Sequence, residues 1–204
     1  MDQPVGRPTS MARGPVHIRP AVEADLELIG RLTLASYDAY GRIEGDYRAQ
    51  LADPGRRIAG SSGLFVAELG GRVVGTVTYV RPGDREWEGR PQPDGDAGFR
   101  VLAVAPDVEG RGVGRALVNA CIEAARAAGA RRMLITSMSW MDRAHALYRG
   151  LGFVRRPDLD VRFPGGDGWI FALDLTADAD AHFAAPGPIP PRPPWFEDVW
   201  GSEG

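Results

Sequence analysis

The stretch Val101-Leu-Ala-Val-Ala-Pro-Asp-Val-Glu-Gly-Arg-Gly-Val-Gly-Arg-Ala-Leu117 decides the fold. Apolar, β-prone residues run up to Pro106, which predicts a buried strand over Phe99 to Val104. Glycines follow at 110, 112 and 114, and an amphipathic helix opens at Val113. A strand, a glycine-rich loop and a helix start in this order form an anion cradle. Successive backbone N–H groups converge, the helix dipole adds positive potential, and a Cβ would block close approach of a phosphate. The glycines would serve a plain tight turn equally well, but the flanking strand and helix favour phosphate binding. A dinucleotide site of the Rossmann type does not fit. The glycine spacing is wrong, the loop follows four strands, and no acidic ribose ligand arrives on schedule.

Downstream, Leu117, Cys121, Ala124 and Ala128 share one face of a helix over Val113 to Ala128, and Gly129 stops it. Arg132 to Ser137 reads as a strand. Ser139 and Asp142 have capping-box spacing for a second helix, whose apolar stripe is Ala144, Leu147, Tyr148 and Leu151 and whose end is Gly152. Phe153 to Arg156 and Trp169 to Leu175 are the final strands. Upstream, Val16 to Arg19 is a short strand ended by Pro20, and a helix follows from Ala21. Ser36 to Asp53, broken by Gly41 and Gly45, reads as a loop and a second short helix. Gly63 to Leu69 and Arg72 to Val80 form a hairpin about Gly70-Gly71. Pro82 to Gly95 is a long polar loop. This order predicts a mixed α/β sandwich with helices on both faces of a sheet.

The chain has 204 residues, enough for one domain, with 24 arginines and no lysine against 27 acidic residues. Without lysine there is no P-loop lysine, no Schiff base and no lysine general base. The lone Cys121 excludes an internal disulfide and a multi-cysteine zinc site, and His17, His145 and His182 show no metal-ligand spacing, so no metal is expected. The charge balance argues against a nucleic-acid binder. No apolar run approaches a membrane span and no signal peptide is evident, so a cytoplasmic protein is expected. Residues 1–15 are expected to be disordered, 16–176 to form the domain, and 177–204 to be a proline-rich tail. In that tail Trp195 to Trp200 is either a disordered terminus or an aromatic anchor on this subunit or a neighbour.

Two motifs together resemble the GNAT N-acetyltransferases. Leu102-Ala-Val-Ala-Pro106 with Gly110-Arg-Gly-Val-Gly114 is similar to that family's acetyl-CoA signature. Ala144-His-Ala-Leu-Tyr-Arg-Gly-Leu-Gly-Phe153 is similar to its second hallmark. The resemblance covers roughly Val16 to Leu175. It implies a mostly antiparallel sheet split between strands 4 and 5, with acetyl-CoA bound in the split. Backbone N–H groups of Gly110, Arg111, Gly112, Val113, Gly114 and Arg115 would cradle the pyrophosphate. The edge formed by Leu102, Ala103 and Val104 would pair with the pantetheine arm. An N–H near Leu102 would hold the acetyl oxygen and the developing oxyanion. Tyr148 would protonate the departing thiolate, though its place on an apolar stripe is equally that of a core residue.

Two positions depart from the family pattern. Glu109 stands where Gln or Arg is common, and its carboxylate must turn away from a pyrophosphate or weaken binding. Gly98 stands where a glutamate often serves as base. Asp96, two residues earlier, is the candidate substitute base or simply a solvated loop acid, and water alone could remove the proton. Tyr37, Tyr40 and Trp87 are candidates for the acceptor site, where aromatics mixed with acids would hold a cationic amine. His145 reads as a surface or pocket-edge residue and Cys121 as inert packing. The implied function is acetyl transfer to a small-molecule or peptide amine by direct attack, in a monomer or homodimer. The alternatives are an inactive CoA-binding module and a scaffold that uses the aromatic tail.

Overall fold

The computed structural model describes residues 14–41, 43, 45–87, 95–163 and 166–176. The expected disordered start, the tip of the long polar loop and the aromatic tail lie outside the described residues. The strands are β1 (His17–Pro20), β2 (Gly63–Leu69), β3 (Arg72–Val80), β4 (Asp96–Val104), β5 (Arg132–Met138), β6 (Val154–Arg155), β7 (Val161–Phe163) and β8 (Gly166–Asp174). They form one sheet in the order β1-β2-β3-β4-β5-β8-β6, with β7 paired to β8. Every pairing is antiparallel except β4 with β5. This is the mixed, mostly antiparallel sheet that was expected.

The helices are α1 (Leu26–Asp38), α2 (Gly45–Ala52), α3 (Pro54–Gly60), α4 (Val113–Ala127) and α5 (Asp142–Arg149). On one face, Leu117, Cys121 and Ala125 of α4 and Tyr148 of α5 bury against Phe99, Met133, Ile135 and Phe171. On the other, Leu32 and Tyr37 of α1 and Leu51 of α2 meet Val101 and Ala103, while Ile29 meets Leu64 and Val66. Helices α1, α4 and α5 thus cover the sheet with the apolar stripes that their sequence periodicity announces.

Local turn chemistry sets several boundaries. Gly70 and Gly71 both have positive φ, +61° and +77°, as a two-residue turn between twisted strands requires. At the end of α4, Gly129 has φ +74° and the Ala130 N–H donates to the Ala125 carbonyl, closing the helix. Two expectations are corrected. Helix α5 begins at Asp142 with Met141 at its N-cap and no side-chain cap, while the Ser139 N–H donates to the Asp167 carbonyl. Pairing with β8 takes Ser139 away from the helix. Between α2 and β2 there is an unforeseen short helix, α3. Its signal was present in Asp53-Pro54: the Asp53 carboxylate accepts from the Arg56 N–H, and Pro54 opens the first turn.

The feature that positions the site is the brevity of the β4–β5 pairing. Only Asp96, Ala97 and Gly98 pair with Arg132, Met133 and Leu134. At this closed end the Asp96 carboxylate accepts two hydrogen bonds from Arg132, at 3.0 and 2.7 Å. A Cβ at Gly98 would lie 2.6 Å from the Leu134 carbonyl oxygen. Beyond Gly98 the strand leaves β5 and presents an open edge.

Two outcomes follow for stability. Gly98→Ala forces β4 off β5, and chemical denaturation should show a loss of about 1–3 kcal/mol, as overpacking costs elsewhere. Asp96→Asn removes the charged partner of Arg132, and the same measurement should show a loss of about 1–3 kcal/mol.

Candidate active site

The open edge carries a local irregularity. The β3–β4 register shifts between Thr76, opposite Ala103, and Thr78, opposite Arg100, so β4 holds an extra residue there. Val101 takes φ +49° at this bulge. A β-branched residue in that region is strained by roughly 1–3 kcal/mol, and such strain persists only where surrounding structure enforces it. The bulge puts two consecutive side chains, Arg100 and Val101, on the side of α2 and α3, where both line one cavity. It then returns Leu102 and Val104 to the α4 side. The Ala105 N–H donates to Val74 on β3. By alternation Val104 faces the opposite way, and its N–H donates to the Ser36 hydroxyl of α1 at 3.3 Å. Leu102, two residues earlier, shares that open side.

The glycine loop lies just past this edge. Gly110 and Gly112 have φ of +75° and +82°, and a Cβ built on either would meet nothing within 4 Å. The loop therefore needs glycine for its backbone, and the space above it is open. The N–H groups of Val113, Gly114 and Arg115 form the first turn of α4, where no intrahelical carbonyl serves them. A Cβ on Gly114 would touch Leu147 at 3.3 Å, so this glycine allows α4 to approach α5. Glu109 pairs with Arg143 of α5 at 2.7 Å, so its charge is partnered beside the loop. Arg115 donates to the Gly150 carbonyl at 3.1 Å, at the end of α5.

Tyr148 lies among Phe99, Phe153 and Phe171, with ring centroids 5.7–6.0 Å away. Burial pushes its phenol well above the ordinary value, and the Tyr40 phenol adds to the shift. Burial likewise raises Tyr37, with contributions from the phenols of Tyr47 and Tyr148. Tyr37, Tyr40 and Tyr148 thus converge on one region, and Tyr40 leans on Trp140 with centroids 5.3 Å apart.

Three other candidates stand elsewhere. Asp96 sits at the closed end of the split, with its carboxylate held by Arg132, rather than at the open edge. Trp87 is fully buried and packs under Gly98, so it offers no surface to an acceptor. His145 is also buried, at 1% exposure, and stacks on Trp169 with centroids 5.1 Å apart, which corrects its expected place at the surface. Its burial lowers its pKa. Cys121 is wholly buried on α4, and burial raises its thiol far above the usual range.

One group of charged residues escaped the sequence analysis. Arg57 on α3 is 2% exposed and donates through Nη2 to the Thr33 hydroxyl and the Leu51 carbonyl, both at 3.3 Å. Its Nε and Nη1 are buried with no hydrogen-bond partner. Burial pulls its guanidinium down to about 10. Nearby, buried Glu86 accepts from Arg56 at 3.0 Å and from Arg100 at 3.2 Å. The only sequence signal for this cluster was the cap of α3. Among the described residues, no group of three or more His, Cys, Asp or Glu side chains is placed to hold a metal ion. No described helix is long and apolar enough to cross a membrane.

Known proteins share this fold. The chain is similar to the mycothiol acetyltransferase of Cellulomonas flavigena, 32% identical over 123 residues, which is 59% of this chain and 34% of that protein. The chain therefore spans about a third of that relative. Among solved structures, yncA from Salmonella typhimurium, with its cofactor acetyl-CoA, superposes with a TM-score of 0.59 at 23% identity, covering 80% of this chain and 96% of that one. A ribosomal-protein-alanine N-acetyltransferase from Brucella melitensis superposes with a TM-score of 0.54 at 25% identity, covering 78% and 99%. Residues 26–153, which hold the split, the bulge, the glycine loop and Tyr148, match the acetyltransferase (GNAT) family model, and the chain belongs to that family.

Proposed function

We propose that the chain is an N-acetyltransferase that moves an acetyl group from acetyl-CoA to an amine by direct attack. The observation that carries this is the open edge of β4 beyond Gly98, set beside a glycine loop with space above it. The loop fits a pyrophosphate: the N–H groups of Gly110 and of Gly112 to Arg115 hold it, the Arg111 N–H being bonded to the Val108 carbonyl, and Arg143 neutralises Glu109 beside it. Leu102, Ala103 and Val104 receive the pantetheine arm along the free edge, where the Val104 N–H now bonded to Ser36 exchanges partners. The strained turn at Val101 aims the Leu102 N–H at the thioester oxygen, where negative charge develops.

Tyr148 supplies the proton to the departing thiolate. Its raised pKa keeps the phenol protonated at neutral pH, as a general acid requires. The attacking amine gives its own proton to water. Gly98 has no room for a side-chain base, and the Asp96 carboxylate is a clamp on Arg132 at the far end of the split. Tyr37 and Tyr40 form the wall against which the amine is held. No nucleophile paired to a base lies at the edge among the described residues, which favours transfer in a ternary complex over a covalent enzyme intermediate.

Release of CoA thiol in the presence of an amine tests this function directly. Tyr148→Phe should lower kcat by about 10²-fold while leaving CoA affinity nearly unchanged. Saturable CoA binding with no thiol released across a broad amine panel, and no effect of Tyr148→Phe, would instead leave a binding module. Arg143→Ala frees Glu109 beside the pyrophosphate site and should weaken CoA binding by roughly 2- to 5-fold, more at low ionic strength. Titration at two salt concentrations reads that effect.

A further inference from the structure

We propose that the cavity between α2, α3 and the β4 bulge is an anion subsite that takes the carboxylate of the acceptor, so that the amine acetylated is that of a carboxylate-bearing small molecule. The inference deepens the acetyl-transfer function and rests on it. The cavity is lined by Tyr47, Gln50 and Leu51 of α2, Arg56 and Arg57 of α3, Glu86, and Arg100 and Val101 of β4.

Its wall is built around an unmet need. Arg57 is buried to 2% exposure, yet Nε and Nη1 have no acceptor, while Nη2 alone is served by Thr33 and Leu51. A buried guanidinium with unserved N–H groups is costly, and a native fold completes one with an ordered water, an ion or a ligand group. The carboxylate in the wall, Glu86, already bridges Arg56 and Arg100, with its oxygens 3.0 and 3.2 Å from them. Among the described residues the wall thus brings Arg56, Arg57, Arg100 and Glu86 to a single cavity, and Arg57 is the one whose N–H groups await an acceptor.

Size and place narrow the ligand. The space inside admits about one oxygen-sized group, so a single oxygen of an anion enters, and the carboxylate is the anion an amine substrate most simply carries. Val101, the strained residue of the bulge, is part of the wall, and Leu102 is its chain neighbour. A carboxylate anchored here brings an amine a few bonds away toward the edge where the thioester is held. The cavity wall at Arg100 and Val101 and the oxyanion donor at Leu102 are thus consecutive on β4, and the anchor serves to orient the nucleophile.

Two sources of the anion are distinguishable, the acceptor's own carboxylate and a free halide. Thermal unfolding is measured with sodium acetate, sodium chloride and methylammonium sulfate at matched ionic strength, for the native chain and for Arg57→Met. Acetate should raise Tm in a saturable manner in the native chain, and the rise should be lost in Arg57→Met. Arg57→Lys, which keeps the charge, should retain part of it and stands in if the methionine variant does not fold. No acetate effect, or an equal effect in the variants, overturns the subsite. Protection by chloride equal to that by acetate overturns the substrate assignment and leaves a halide site.

Turnover supplies the second arm. Amines offered in pairs, as the free acid and as the amide (glycine with glycinamide, β-alanine with its amide), should favour the acid by about 10-fold or more in kcat/KM. In Arg57→Met that preference should fall toward unity, chiefly through KM. Acids and amides turned over equally overturn the subsite while acetyl transfer stands. Acetate protection through Arg57 with no amine acetylated leaves the anion site standing and removes the transferase function.

Discussion

A Cβ at position 98 would lie 2.6 Å from the Leu134 carbonyl oxygen, so glycine there lets β4 close on β5 at one end of the pair. Asp96 and Arg132 fasten the same end with two charged hydrogen bonds. Past that clamp the strands part, and the backbone groups of β4 face an open cleft instead of a neighbouring strand. Unpaired strand edges are usually a hazard that proteins cover. Here α1 approaches the edge, and the Ser36 hydroxyl occupies one of its donors. The glycine loop, Tyr148 and the tyrosines of α1 and the turn after it are arranged around the same opening.

The bulge at Val101 does a second job. Before it, Ala97 and Phe99 face α4 and α5; after it, Leu102 and Val104 do. Without the extra residue, alternation would have carried Phe99, Val101 and Ala103 to a single face. The change of phase instead places Val101 and Ala103 in the core under α1 and α2. One strained residue thus lets a single strand contribute to both cores and also turns a row of amides into the cleft. The hydrophobic layers on either side hold the strain in place.

The parts of the molecule legible from sequence are those governed by neighbours in the chain. The Gly70-Gly71 hairpin, the end of α4 at Gly129 and the glycine loop at 110–114 each follow from backbone requirements of a few consecutive residues. The conflict between the Glu109 carboxylate and a phosphate was legible, but Arg143 as its partner came only with the packing of α5. What stayed hidden was set across the fold. Trp87 and His145 look like loop and surface residues in sequence, yet one packs under Gly98 and the other on Trp169. Asp96 looks like an available acid until Arg132 arrives from a strand 36 residues away. Arg57 gives no sign of burial, because arginine is rarely buried and its helix is short.

The burial of Cys121 has a practical side. It is the chain's only cysteine, it is wholly enclosed by the core, and its thiolate is strongly disfavoured there. A thiol reagent finds nothing to react with on the folded protein. In an assay of the proposed transfer, a thiol counted in solution then comes from CoA and not from the folded chain. When the core opens, one new thiol appears per chain. A thiol colour reaction thus also reports the fraction of molecules that have lost their fold.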